Sequence, residues 1–138
     1  MGAVTDHEVI TEVFPLLWSD DVARIVDWAV RALGLTESWR APGEDGSLEH
    51  AELLWPGGRV SISVKAAPYR AMGPSGISLR CDDRNRVDAV YQRARSAGAE
   101  IIQGPEESRV AYSFTALDPD GNQWWVNAEN GFLDQLRK

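Results

Sequence analysis

The sequence predicts an α+β fold built from two tandem βαβββ modules, and three observations carry that prediction. The chain repeats itself: Asp20, Asp21 and Arg24 recur 62 residues later as Asp82, Asp83 and Arg86, and Pro56 and Gly58 recur as Pro119 and Gly121. Each copy holds one stretch of apolar residues at helical spacing that closes on a glycine. Each copy then alternates at strand period around a tight turn. A unit this long in only two copies marks a duplicated half-domain rather than a solenoid. Two such halves usually form one cleft between them.

The elements follow in order. Val13 to Trp18 reads as a strand whose proline places it at an edge or a strand start. Ser19-Asp20-Asp21 offers a helix N-cap, and Val22, Ile25, Val26, Ala29, Val30 and Leu33 recur at helical spacing before Gly34. Trp28 lies on this helix and is expected to face the core. Trp39 falls in a short strand, and Pro42 to Gly46 form a turn. Leu48 to Trp55 and Arg59 to Val64 make a hairpin around Pro56-Gly57-Gly58. Residues 67–74, with Pro68, Pro74 and Gly73, read as the linker. The second half repeats the order: strand Gly76 to Cys81, cap Asp82-Asp83, a helix carrying Val87, Val90, Tyr91 and Ala94, then strand Ala99 to Gln103. A hairpin of Val110 to Leu117 and Gln123 to Asn127 closes it. Module one thus spans about 12–66, module two about 75–128 and a tail 129–138, with residues 1–138 forming one domain. Phe132 and Leu136 mark a short apolar segment in that tail.

Composition narrows the function. With 43% apolar and 25% charged residues the chain is an ordinary globular protein. No run approaches the ~18 apolar residues of a spanning helix, and Met1 to Glu12 lacks the pattern of a secretory leader. The single cysteine, Cys81, allows no internal disulfide and fits a cytoplasmic protein. A net charge of −7 spread along the chain argues against nucleic acid as partner. Six tryptophans in 138 residues supply both core and platforms for flat ligands.

The paired Asp-Asp caps, Leu33-Gly34, Ala97-Gly98-Ala99 and Asp118-Pro119-Asp120-Gly121-Asn122 resemble those of the glyoxalase / bleomycin-resistance / extradiol-dioxygenase family, the vicinal oxygen chelate superfamily. The resemblance covers roughly residues 12 to 128. It implies a cupped mixed sheet with helices on its convex side. It also implies four metal-ligand positions, on the first and last strands of each module, that the family's metalloenzymes fill with His, Glu or Gln. Counting along this sequence puts those positions at Phe14, Ile62, Gly76 and Trp125. None of these is a ligand for Zn, Fe or Mn. The expected site is therefore metal-free, without a cofactor, and closest to the bleomycin-resistance branch.

The concave face is expected to receive Phe14, Leu16 and Trp18 from the first strand and Val60, Ile62 and Val64 from the fourth. Gly76, Ser78 and Arg80 come from the fifth, and Gln123, Trp125 and Asn127 from the eighth. On that parity Ser61 and Ser63 turn toward the helices, and Trp124, Val126 and Cys81 lie behind the sheet. His50 and Glu52 alternate on one strand face and can point together into the cleft, although the same pattern describes a half-exposed strand with a polar side. His7 lies in a tail. Gly76 leaves room for a ligand to approach the backbone, and Arg80 can hold a carboxylate, phenolate or carbonyl.

Together these residues describe a binder of a small, flat aromatic or hydrophobic molecule, sequestering a drug or metabolite. The resemblance implies a homodimer with clefts shared between subunits. The competing reading is a lyase, isomerase or dioxygenase of the same fold, either metal-dependent or using His50, Glu52 or Arg80 as acid, base or anion holder.

Overall fold

A computed structural model describes residues 10–66, 71 and 73–137. His7 and most of the expected linker lie outside the described residues. Module one runs β1 Leu16–Ser19, α1 Val22–Trp28 continuing as a π-helical turn Ala29–Leu33, β2 Thr36–Pro42, β3 Leu48–Trp55 and β4 Gly58–Val64. Module two runs β5 Gly76–Arg80, α2 Arg84–Ser96, β6 Glu100–Glu107, β7 Ala111–Leu117 and β8 Gln123–Glu129. A one-turn helix α3, Phe132–Leu136, follows. The βαβββ order is thus present twice, as the repeat predicts.

Local chemistry sets the helix ends. Asp21 and Asp83 are the N-caps, accepting from Arg24 N (3.2 Å) and Arg86 N (2.9 Å). Gly34 and Gly98 end the two helical segments at φ +74° and +80°, where a side chain would be strained. Leu35 N reaches back to Ala29 O (3.3 Å) and so satisfies a terminal carbonyl. The first strand starts later than expected, at Leu16, because Pro15 cannot donate to the ladder, although its carbonyl still accepts from Ser61 N (3.1 Å).

The strands form two four-stranded sheets, in the orders β1-β4-β3-β2 and β5-β8-β7-β6, rather than one continuous sheet. β1 lies parallel to β4 and β5 parallel to β8, and the other pairs are antiparallel. Each sheet carries its helix on one face. The buried set on that side includes Leu17, Val22, Ile25, Val26, Trp28 and Leu53 from module one, and Val87, Phe114, Trp124 and Val126 from module two, in one continuous core.

The expected parity of β4 is wrong. Val60 and Ile62 are fully buried in the helix-side core, with Val64 packed against it, while Ser61 and Ser63 lie on the opposite face with Arg59. Turn length is the reason. Asp118 and Asn122 close module two's hairpin around three residues, with Asp118 N donating to Asn122 O (3.0 Å). Trp55 and Gly58 close module one's hairpin around only two. Leu17 therefore pairs with Ile62 where its counterpart Leu79 pairs with Val126, so Ser61, and not Ile62, is the counterpart of Trp125. One residue reverses every side chain of a strand.

The modules join on the helix side. Asp118, 5% exposed, accepts from the backbone of Asp120 and Asn122, from Asn122 Nδ2 and from Trp124 Nε1, all at 2.8–2.9 Å. The turn so fixed offers Asp120 to module one, where it accepts from Ser19 Oγ (2.5 Å) and Arg24 (3.3 Å). Arg93 on α2 donates to the carbonyls of Val30 (3.1 Å) and Arg31 (3.0 Å) at the end of the first helix. Trp28 sits 5.8 Å, centroid to centroid, from Trp124.

Trp28 is 5% exposed and bridges the two modules. Trp28→Ala should therefore lower the stability of the whole fold by about 3–5 kcal/mol, the cost of a large cavity. Urea unfolding followed by circular dichroism measures it, and a loss under 1 kcal/mol would show that the joint does not rest on this indole.

Candidate functional site

The faces turned away from the helices follow from the register, because cross-strand partners share a face. In module one Leu16 pairs with Ser61 and Trp18 with Ser63, His50 pairs with Ser63, and Glu52 pairs with Ser61 and Trp39. That face thus collects Leu16, Trp18, Trp39, His50, Glu52, Arg59, Ser61 and Ser63. In module two Gly76 pairs with Gln123, Ser78 with Trp125 and Arg80 with Asn127. Ser113 and Thr115 of β7 complete that face opposite Asn127 and Trp125.

Module one's face is half apolar and half charged. Phe14 and Leu16 are 42% and 43% exposed, and Trp39 is 44% exposed, unusual for such large side chains. The Arg59 guanidinium lies 4.6 Å from the Phe14 ring centre and donates to Glu52 (3.1 Å) and to Glu12. Glu52 is 5% exposed, so Arg59 supplies the counter-charge that its burial requires. Arg59 Nε is itself buried without a hydrogen-bond partner among the described residues. His50 Nδ1 lies 2.9 Å from Ser63 Oγ.

Module two's face is built differently. Gly76 opens it, since a Cβ there would meet only Gln123 O, at 4.0 Å. Trp125 is half-buried between Ser78 and Thr115. Asn127 is 2% exposed and spends its amide locally, donating to Ser78 Oγ (2.9 Å), Leu79 O (3.2 Å) and Trp125 O (3.2 Å). Thr115 donates to Gln103 Oε1 (2.9 Å) and Gln103 in turn donates to Ser113 O (3.2 Å). Arg80 is exposed and lies 3.6 Å from Glu129, whose carboxylate also takes both terminal nitrogens of Arg137 (2.7 and 2.9 Å).

Of the residues expected at the site, Phe14, Leu16, Trp18, His50 and Glu52 share one sheet face, and Gly76, Ser78, Arg80, Trp125 and Asn127 share the other. Ile62 belongs to the core, with Val60 and Val64. Arg59, Ser61 and Ser63 replace them, and the missed signal was the shorter Pro56-Gly57 turn. Trp39 and Gln103 were also missed, because the register of β2 and β6 is broken by bulges, and Thr115 because no inward face was read from β7. The corrected four ligand positions hold Phe14, Ser61, Gly76 and Trp125, a set that does not fit a divalent metal. Among the described residues no three His, Cys, Asp or Glu side chains gather as metal holders. Burial pushes the Cys81 thiol up from its usual range, which keeps it protonated.

The sequence profile of the Glyoxalase/Bleomycin resistance protein/Dioxygenase superfamily matches residues 10–126. An uncharacterized protein of Mycobacterium tuberculosis, Rv0887c, is 30% identical over 119 residues, covering 80% of this chain and 69% of that protein. TioX from Micromonospora sp. ML1 is similar in structure at TM-score 0.72 and 25% identity, over 86% of this chain and 99% of TioX. TnmS3, an antibiotic binding protein from Streptomyces sp. CB03234, superposes at TM-score 0.64 and 24% identity, over 86% and 97%. A lactoylglutathione lyase from Agrobacterium tumefaciens does so at TM-score 0.70 and 17% identity, over 86% and 94%.

The hydrogen bonds from Arg137 hold the Glu129 carboxyl below the usual glutamate range. A depressed carboxyl pKa stabilises the fold above its unfolded value, and that contribution is lost as pH falls through the folded value. Carbon-detected NMR should therefore give Glu129 a midpoint below the ~4.3 of a free glutamate, and Arg137→Ala should raise it. An unshifted midpoint would mean that α3 is not docked by this pair.

Proposed function

The chain belongs to the Glyoxalase/Bleomycin resistance protein/Dioxygenase superfamily, and from that premise we propose that it is a metal-free binder of a small, flat aromatic molecule. The observation that carries this reading is chemical. The positions where the family's metalloenzymes hold their metal carry Phe14, Ser61, Gly76 and Trp125, so the site offers rings and open space where ligands would be needed. Trp18 and Trp125 supply stacking platforms, one on each sheet face, and Gly76 leaves the backbone open beside Gln123. Structural similarity to the antibiotic binding protein TnmS3 is consistent with a sequestering role.

Acid–base catalysis is supported less well. Glu52 is engaged by Arg59 and Arg80 faces Glu129, while His50 and Arg80 stand on different sheets. The three residues expected to share that work are thus separately partnered.

The functional unit is proposed to be a cytoplasmic homodimer in which modules of about 12–66 and 75–128 from two chains share the clefts. Among the described residues the outer strands β1, β2, β5 and β6 each leave one edge unpaired. Phe14, Leu16 and Trp39 leave an apolar face exposed, which a second copy would cover. Among the described residues no helix is long and apolar enough to cross a membrane.

Two measurements test this reading. Protein purified without a tag should retain no stoichiometric Zn, Fe, Mn or Ni by mass spectrometry. An aromatic compound that quenches its fluorescence should bind Trp125→Ala roughly thirtyfold more weakly, given ~2 kcal/mol for a truncated interface aromatic. Equimolar metal, or unchanged affinity in a folded variant, would sink the proposal.

Sedimentation equilibrium at micromolar concentration should give about twice the 15.3 kDa chain mass. A monomer mass would show that each chain closes its own faces.

A further inference from the structure

The two modules meet through two corresponding corners, and only one of them is complete. In the complete corner the β7–β8 turn meets the end of β1 and the start of α1. Asp120 there accepts from Ser19 Oγ (2.5 Å) and Arg24 (3.3 Å), and Trp28 packs against Trp124 behind the turn. In the other corner the β3–β4 turn meets the end of β5 and the start of α2. The repeat places Cys81 for Ser19, Arg86 for Arg24 and Val90 for Trp28, and the shorter turn, Pro56-Gly57, carries no counterpart of the Asp120 carboxylate. A carboxylate and an indole are thus missing together. What remains is a groove of about 700 Å³ lined by Leu33, Trp55, Cys81, Arg86, Val90 and Val126 among others.

Arg86 shows the effect of the missing carboxylate. Arg24 has Asp120 to bind, while its neighbour Asp20 lies 3.7 Å from Lys65. Among the described residues Arg86 has no acid across the groove, and it turns back to Asp82 (2.5 Å) and Asp83 (3.9 Å) beside its own helix start. These pairs are more than half exposed, and exposed ion pairs of this kind hold weakly.

We propose that this groove, which lies on the helix side and meets module two's sheet face only at its rim, Ser78 and Arg80, is a second ligand site that takes a small aryl carboxylate. The carboxylate takes the place of the missing Asp120 counterpart on the Arg86 guanidinium, which binds planar anions in a two-pronged fashion. The ring fills the space that Val90 leaves relative to Trp28, against Trp55 and Leu33. A groove of about 700 Å³ lies within the ~300–1,000 Å³ range of sites for small molecules. Arg80 also lines it and adds positive charge, while Asp82 is the group that the ligand displaces from Arg86.

The complete corner supplies its own test. A Cβ at Gly57 would meet only the Trp55 ring, at 3.6 Å or more, so Gly57→Asp can restore the missing carboxylate without a clash. Indole-3-acetate and its uncharged amide serve as probes, titrated by calorimetry into the full chain. The parent should bind indole-3-acetate with a submillimolar Kd and the amide at least tenfold more weakly. Gly57→Asp and Arg86→Gln should each weaken the acid at least tenfold, and Gly57→Asp should raise the melting temperature. In Trp125→Ala the preference for the acid over the amide, and its loss on Arg86→Gln, should both persist. Absence of binding by the folded parent, equal affinity for acid and amide, or loss of that preference in Trp125→Ala alone would overturn the proposal. Should Gly57→Asp fail to fold by circular dichroism, Arg86→Gln decides: unchanged affinity there is also fatal.

Discussion

One buried carboxylate organises the turn through which the second module grips the first. Asp118 is acceptor-only, and the surrounding chain gives it four donors, so its desolvation is met by hydrogen bonds rather than by a counter-charge. Those bonds fix the turn, present Asp120 to Ser19 and Arg24, and anchor Trp124, whose ring meets Trp28 across the joint. Asn122 extends the network by accepting from Ser75 N (2.8 Å), which sets where β5 begins. The most recognisable motif in the sequence is therefore structural. Its polar residues face inward, toward the joint between the modules.

Much of the fold was legible because the same instructions appear twice. The Asp21 and Asp83 caps, the Gly34 and Gly98 stops and the apolar periods between them each specify local geometry without help from the rest of the chain. The face of β4 was not legible in that way. Reading it required the length of the Pro56-Gly57 turn relative to the Asp118–Asn122 turn, and the repeat suggested that the two were equal. The small serines at 61 and 63 gave the opposite hint, since hydroxyls sit poorly against a helix-side core. The Arg59–Glu52–Phe14 group was hidden for the same reason: it exists only once β4 is turned the right way. The register of β2 and β6 depends on bulges that composition does not announce.

Divergence between the two modules is concentrated where they offer surface. Inside, Leu17 matches Leu79 and Ile62 matches Val126, with like replaced by like. Outside, module one presents an arginine–glutamate pair and exposed rings, and module two presents an amide and hydroxyl network around Trp125. The two faces thus offer different chemistry on similar frames.

The parallel pairing of β1 with β4 and of β5 with β8 has a consequence for the order of assembly. Leu16 lies opposite Ser61, and Gly76 opposite Gln123, so each pair closes a loop of more than forty residues. The β3–β4 and β7–β8 hairpins are local and need no such closure. Long loops cost entropy that only late contacts repay, so the outer strands zip on last and fray first. Leu16, Trp18, Ser78 and Arg80 all ride on these strands. These four residues thus sit on the segments that amide hydrogen exchange would find opening most readily.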